Sequence, residues 1–181
     1  MSGGRDYTIL ILDKDLNELR RISLETTEIN SLLPIPRSLE FGFDTKGKIL
    51  LGTLGSEIFE IEFLKNLLEG PLEIRSFVYS HFSMSSNENN KISALAFWAK
   101  KNMFISVSED CTLRIWDLEK NKQIDYVKLD IDNKGNKFKS EKGNINKATC
   151  LHLHRDENDL AVGFIDGDVR VKKNKILKII K

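Results

Sequence analysis

Four copies of one turn-plus-strand unit, almost evenly spaced, constrain what this chain can fold into more than any other feature. Asp110-Cys-Thr-Leu-Arg-Ile-Trp-Asp117 aligns with Asp6-Tyr-Thr-Ile-Leu-Ile-Leu-Asp13. Gly55-Ser-Glu-Ile-Phe-Glu-Ile61, preceded by Leu50-Leu-Gly-Thr53, is another copy. Asp166-Gly-Asp-Val-Arg-Val171, preceded by Leu160-Ala-Val-Gly163, is the fourth. Successive turns lie 49, 55 and 56 residues apart. A near-constant period of this size marks a repeat architecture, in which one unit cannot bury its own apolar face and does so by stacking on its neighbours.

Each copy holds the pieces of one four-stranded sheet. In the third, Ile92, Ala94 and Ala96 alternate with Ser93, Leu95 and Phe97 in a first strand. Met103 to Val107 makes the second strand, Thr112 to Leu118 the third and Gln123 to Leu129 the outer one. Asn102, Asp110 and the Lys120-Asn121 pair supply the turns between them. The second copy gives strands over 39–43, 49–53, 57–63 and 72–79, and the fourth over 149–154, 160–164, 169–172 and 175–180. The first copy opens at its own turn and supplies only two outer strands, 8–12 and 19–24. The expected organisation is one all-β segment of about three and a half units over 1–181. Residues 1–28 give the outer strands of the first unit, 29–80 the second, 81–130 the third, and 131–181 a long loop and the fourth.

The stretch Ser108 to Asp117, with its turn at Asp110 and its Trp116-Asp117 pair, resembles the end of a WD repeat. On it and the three weaker copies, the chain is identified as a member of the WD-repeat β-propeller family. The resemblance implies an all-β section of a WD-repeat propeller, with about three and a half four-stranded blades. Propellers close with roughly four to eight blades, so the remaining blades are expected from a longer chain or from a second copy. In this family a His, a Ser or Thr, an Asp and a Trp can form a hydrogen-bonded chain within one blade. Here that implies His81, Ser106 or Ser108, Asp110 and Trp116, tying turns to strands in a structural role. Lys48-Ile-Leu-Leu-Gly-Thr-Leu-Gly-Ser-Glu-Ile-Phe-Glu-Ile61 and Ser2-Gly-Gly-Arg-Asp6 are similar to blades of the echinoderm microtubule-associated protein-like group. That likeness implies a cytoplasmic, cytoskeletal or ciliary setting and association with tubulin or microtubules.

Other features say what else to expect. The formal net charge of +1 sets up no global field that would select nucleic acid or a membrane, and no apolar run reaches the ~18 residues of a spanning helix. Two cysteines, Cys111 and Cys150, and no N-x-Ser/Thr acceptor favour a reducing setting. No G-x-S-x-G precedes a helix, so a hydrolytic triad is not expected. Gly3-Gly4 and Gly52-x-x-Gly55 lead into strands and cradle no phosphate. Cys150, His152 and His154 share one face of a regular strand, a set that zinc can use. A first strand lining a propeller channel carries polar residues anyway, and no metal or cofactor is assigned. Trp98 either caps the core or projects as an exposed anchor for a partner. Lys134, Lys137, Lys139 and Lys142, in a Gly- and Asn-rich loop, are candidate contacts for an acidic partner. Nucleic acid is not favoured, because Phe138 is the one aromatic interleaved there. The function expected is a non-enzymatic protein-interaction scaffold, with no catalytic residue. The alternative is a regulatory or substrate-recognition WD-repeat subunit of a larger multi-protein enzyme complex.

Overall fold

A computed structural model describes residues 1–24, 35–42, 47–77, 80–81, 90–129 and 147–173. The fold is all-β, built of four antiparallel sheets. Alternation of aliphatic with polar side chains dictates the strands, and a short hairpin turn closes each pair. The chain divides into two compact units, Met1–Ile92 and Ser93–Lys181.

The first unit holds two sheets. One is β1 (Ser2–Gly3), β2 (Thr8–Leu12) and β3 (Glu18–Ser23), in the order β1-β2-β3. The other is β4 (Pro36–Gly42), β5 (Lys48–Thr53), β6 (Ile58–Phe63) and β7 (Leu72–Phe77), in chain order. Ile9, Ile11, Ile22 and Leu24 of the first sheet pack on Ile49, Leu51, Phe59, Ile61 and Phe63 of the second. Each such side chain taken fully out of water contributes about 1.5–3 kcal/mol. β1 corrects the expectation of two outer strands alone: it pairs Ser2 with Leu10 and Gly3 with Ile9. Glycine weakens a strand when read as sequence, but here it permits close approach. A Cβ on Gly3 would lie 2.6 Å from Pro36 Cβ and 3.2 Å from Leu39 Cδ1.

The second unit holds the other two sheets. β8 (Ile92–Trp98), whose first residue closes the preceding unit, leads through a 3-10 turn at Ala99–Lys101 into β9 (Met103–Ser108), β10 (Thr112–Asp117) and β11 (Lys122–Lys128). β12 (Ala148–Leu153), β13 (Asp159–Phe164) and β14 (Val169–Lys173) form the last sheet. Ile105, Val107, Leu113 and Ile115 pack on Leu160, Val162 and Phe164 across the two sheets. The outer strand expected over 175–180 and the long loop over 131–146 lie outside the described residues.

The hairpin turns repeat in backbone detail. Tyr7 (φ 60°), Ser56 (φ 71°), Cys111 (φ 60°) and Gly167 (φ 94°) occupy the last place of the same three-residue loop, one in each sheet. A type I turn followed by a left-handed residue makes such a loop. Its twist suits the strands well enough that three side chains accept the left-handed cost. Register shifts recur as well. β2 and β10 slip against their outer neighbours at Ile11/Leu12 and at Ile115/Trp116. β4 and β12 slip at Pro36/Ser38 and at Ala148/Cys150. These are equivalent places in the aligned copies, so the repeat extends below the level of residue identity.

Candidate functional site

The third sheet carries the sequence motif, and its two faces do different work. On β10, Leu113 and Ile115 point into the core just described. Thr112, Arg114 and Trp116 take the other face. Trp116 stands directly across from Phe104, and the rings stack with centroids 5.8 Å apart and planes 8° apart. One step along the diagonal, the Trp116 indole Nε1–H donates to Ser106 Oγ at 2.8 Å, with both residues buried. Ser106 is therefore the serine that serves the tryptophan. Ser108, the other serine the motif left open for that place, serves the turn: its Oγ accepts the Asp110 backbone N–H at 3.3 Å. The physical reason is reach, because Ser106 is the diagonal neighbour of Trp116 and Ser108 lies two residues farther along the same strand.

Asp110 holds the hairpin closed. Its Oδ1 accepts the Thr112 N–H and the Thr112 hydroxyl, each at 2.8 Å. Its Oδ2 takes the Arg114 guanidinium at 3.1 Å. The first sheet repeats the arrangement, with Thr8 Oγ1 donating to Asp6 at 2.8 Å, and that bond first of all holds the Asp6 carboxyl below its usual range. Asp117 fixes the next turn, accepting the Glu119 and Lys120 N–H groups at 3.0 and 2.9 Å. The bond from Lys120 is the main reason its pKa is lowered. Asp13, the aligned residue of the first copy, does the same with Asp15 and Asn17.

His81 lies in the first unit, fully buried. Its backbone N–H donates to Ser56 O at 3.1 Å, and its own carbonyl accepts from Asn90 Nδ2 at 3.4 Å. Ser106, Asp110 and Trp116 lie in the second unit.

Trp98 takes the core place and not the exposed one. At 2% exposure it belongs to the apolar cluster of the second unit, because β8 ends with that face turned onto Ile105 and its neighbours. It is no surface anchor within this chain. Lys134, Lys137, Lys139 and Lys142 lie outside the described residues. Cys150, His152 and His154 are exposed, and His154 Nδ1 meets Asp156 Oδ1 at 2.6 Å. Among the described residues no group of His, Cys, Asp and Glu is placed to hold a metal ion.

Two features of the first unit were not foreseen. Glu60 is 1% exposed. Its Oε1 meets Lys48 Nζ at 2.5 Å and Arg75 Nη2 at 3.4 Å, while Glu62 holds Lys48 at 3.0 Å. Burial works against the Lys48 ammonium, but the hydrogen bonds of Glu60 and Glu62 outweigh it and raise its pKa. The second feature is a cleft of about 610 Å³ whose walls include Leu12, Leu19, Leu39, Phe41, Leu67 and Leu68. Its loop wall is fixed by Arg20, which donates to Leu67 O at 3.3 Å and Gly70 O at 2.7 Å and lies over the Phe63 ring. Exposed leucines next to glutamates gave a weak hint of the cleft. The pairing of Glu60 with strands 12 and 15 residues away gave none.

Chemically, then, the motif side chains secure turns and tie neighbouring strands of one sheet together. With that geometry in place, residues 77–117 match the WD40 family, described as WD domain, G-beta repeat. The matched stretch runs from the end of β7 through His81 to Asp117, and the four antiparallel sheets around it are consistent with a partial WD-repeat propeller.

Proposed function

We propose that this chain is a non-enzymatic platform for protein partners, acting in the cytoplasm on the tubulin cytoskeleton. The observation that carries the scaffold reading is how the motif side chains are used. Asp110, Ser106, Ser108 and Trp116, the residues with the most chemical potential in the repeat, are engaged in holding turns and stacking strands. Such a frame positions loops and clefts without reorganising, which lowers the entropic cost of binding. WD40 repeats commonly mediate protein–protein contacts, and one is present here. The tubulin reading is supported by the likeness of Lys48 to Ile61 to microtubule-associated blades, and by Lys134, Lys137, Lys139 and Lys142, whose charge suits an acidic protein surface.

Co-sedimentation with polymerised tubulin tests it. Pelleting is expected at low salt and should weaken as the Debye length shrinks from ~30 Å at 0.01 M toward ~8 Å at 0.15 M. Reversal of the four lysines to glutamate should abolish it. No pelleting of the wild type at low salt removes tubulin as the partner.

A further inference from the structure

One end of the first unit is rich in leucine for a surface. Leu16, Leu19, Leu64 and Leu68 are four of the nine exposed large apolar side chains among the described residues. They lie in or beside two loops of that unit, from β2 to β3 and from β6 to β7. Leu19 and Leu68 help wall the cleft of about 610 Å³, which also meets Leu39 and Phe41 and reaches Ile11 and Ile49 of the core. Exposed apolar surface gathered in this way marks a site of interaction. Leu16 adds a separate observation. It stands in the hairpin turn, 78% exposed, with φ 65°. That backbone is costly for a bulky side chain, and strain of this kind clusters at binding sites. The turn after β10 gives its left-handed place to Asn121 (φ 50°), a residue type that tolerates it.

The polar groups of this rim decide what it fits. Asn66 Oδ1 accepts the Leu68 and Glu69 N–H groups at 2.8 and 2.9 Å, and the Leu64 N–H donates to Pro71 O at 3.3 Å. Arg20 donates to Leu67 O and Gly70 O. In the hairpin, Asp13 Oδ1 accepts the Asp15 and Asn17 N–H groups. Lys65 pairs with Glu69 at 2.6 Å and Arg21 with Glu18 at 2.7 Å. An extended peptide depends on main-chain bonds to its receptor, and these loops bond the groups just named within the chain. A helix satisfies its own main chain and needs only an apolar groove. Glu40 is the one charged residue on the cleft wall among the described residues, so the complement carries a cation beside its apolar face. We propose that this rim seats an amphipathic helix of a partner protein, with a leucine-type face in the cleft and a lysine or arginine at Glu40. The surface goes beyond the tubulin reading and uses none of the lysines that support it.

A fluorescein-labelled helical peptide tests this, with leucines at i, i+3, i+4 and i+7 and lysines flanking them. It is titrated with the full 181-residue chain and read by anisotropy. Binding should saturate below about 500 µM, and a peptide of the same composition with its leucines spread around the helix should bind about tenfold more weakly. Leu68→Glu and Leu16→Asn should each weaken binding about tenfold. Leu16→Asn should also raise the thermal midpoint, because asparagine carries the left-handed turn at less cost. A leucine with a merely structural role would not move the two readouts in opposite directions, and this variant keeps the test open if Leu68→Glu fails to fold. No binding overturns the proposal, as does equal binding of the two peptides or binding that neither substitution weakens. Flotation on phosphatidylcholine vesicles that Leu16→Asn abolishes would assign the leucines to a membrane instead. A mass that rises above 20.8 kDa with concentration, and falls back in Leu16→Asn, would assign them to a second copy. Tubulin is absent from these measurements, so they and the pelleting result stand or fall separately.

Discussion

The Trp116 side chain contributes in two separable ways. Its ring stacks on Phe104 at 5.8 Å, and its N–H donates to Ser106 at 2.8 Å. Trp116→Phe keeps most of the stack and removes the indole hydrogen bond to Ser106, so a loss of about 1 kcal/mol is expected. Trp116→Ala removes both and leaves a cavity, at a cost of about 3–5 kcal/mol. Denaturant melts of the two variants check this: equal losses would mean that the hydrogen bond, and not the ring, holds the strand. The tryptophan, its aspartate and the turn were legible in the sequence, because short-range spacing sets them. The choice of Ser106 over Ser108 was not. It depends on the cross-strand diagonal, which is fixed only when β9 and β10 are in register. Trp98 was ambiguous for a related reason: a residue at a strand end goes inward or outward with the phase of the pleat, and one aromatic does not set that phase.

At the scale of elements, the alternation that marks a strand is local. The strands of the second and third sheets therefore fall within a few residues of the sequence expectation. Glu60 shows where that logic fails. In Ile58-Phe-Glu-Ile-Glu-Phe63 the alternation marks one face as polar, which reads as solvent-exposed. Lys48 and Arg75, arriving from the strands on either side, make burial of that carboxylate tolerable. The hairpin loops permit a cleaner test. Gly167 has φ 94° and nothing within 4 Å of the place a Cβ would occupy. Gly167→Ala therefore measures backbone strain alone, and a loss of about 1–2 kcal/mol is expected from the left-handed cost. Thermal unfolding reads it out, and an unchanged midpoint would mean that the loop relaxes out of the shared turn geometry.

Across the whole molecule, charge and pH act through the turns. The carboxyls of Asp6, Asp13, Glu69, Asp117 and Asp156 are all held below their usual range. The largest cause in each case is one hydrogen bond: to Thr8, Asn17, Lys65, the Lys120 backbone and His154, respectively. A folded-state pKa below the unfolded one stabilises above the unfolded value and is lost as pH falls through the folded value. These groups therefore stabilise fully above the ordinary carboxylate values of 3.8 and 4.5, and progressively less below them. Lys48 runs the other way: its raised pKa stabilises below the ordinary value of 10.5 and is lost as pH climbs past it. Melting followed from pH 7 down to pH 2 should fall below about pH 4, and Asp13→Asn with Asp117→Asn should flatten that fall. An unaltered acid limb would place the titrating groups elsewhere.

The left-handed residue shared by the four motif hairpins has a consequence for anyone who rebuilds this chain. Tyrosine, serine, cysteine and glycine all occupy that one position without altering strand register. At that position the backbone, not the side chain, sets the conformation. Ser56 and Cys111 are buried there, while Gly167 is exposed with nothing within 4 Å of the place a Cβ would take, so it is at 165–167 that a fluorophore or a crosslinker can be attached while the ladder on either side stays in place.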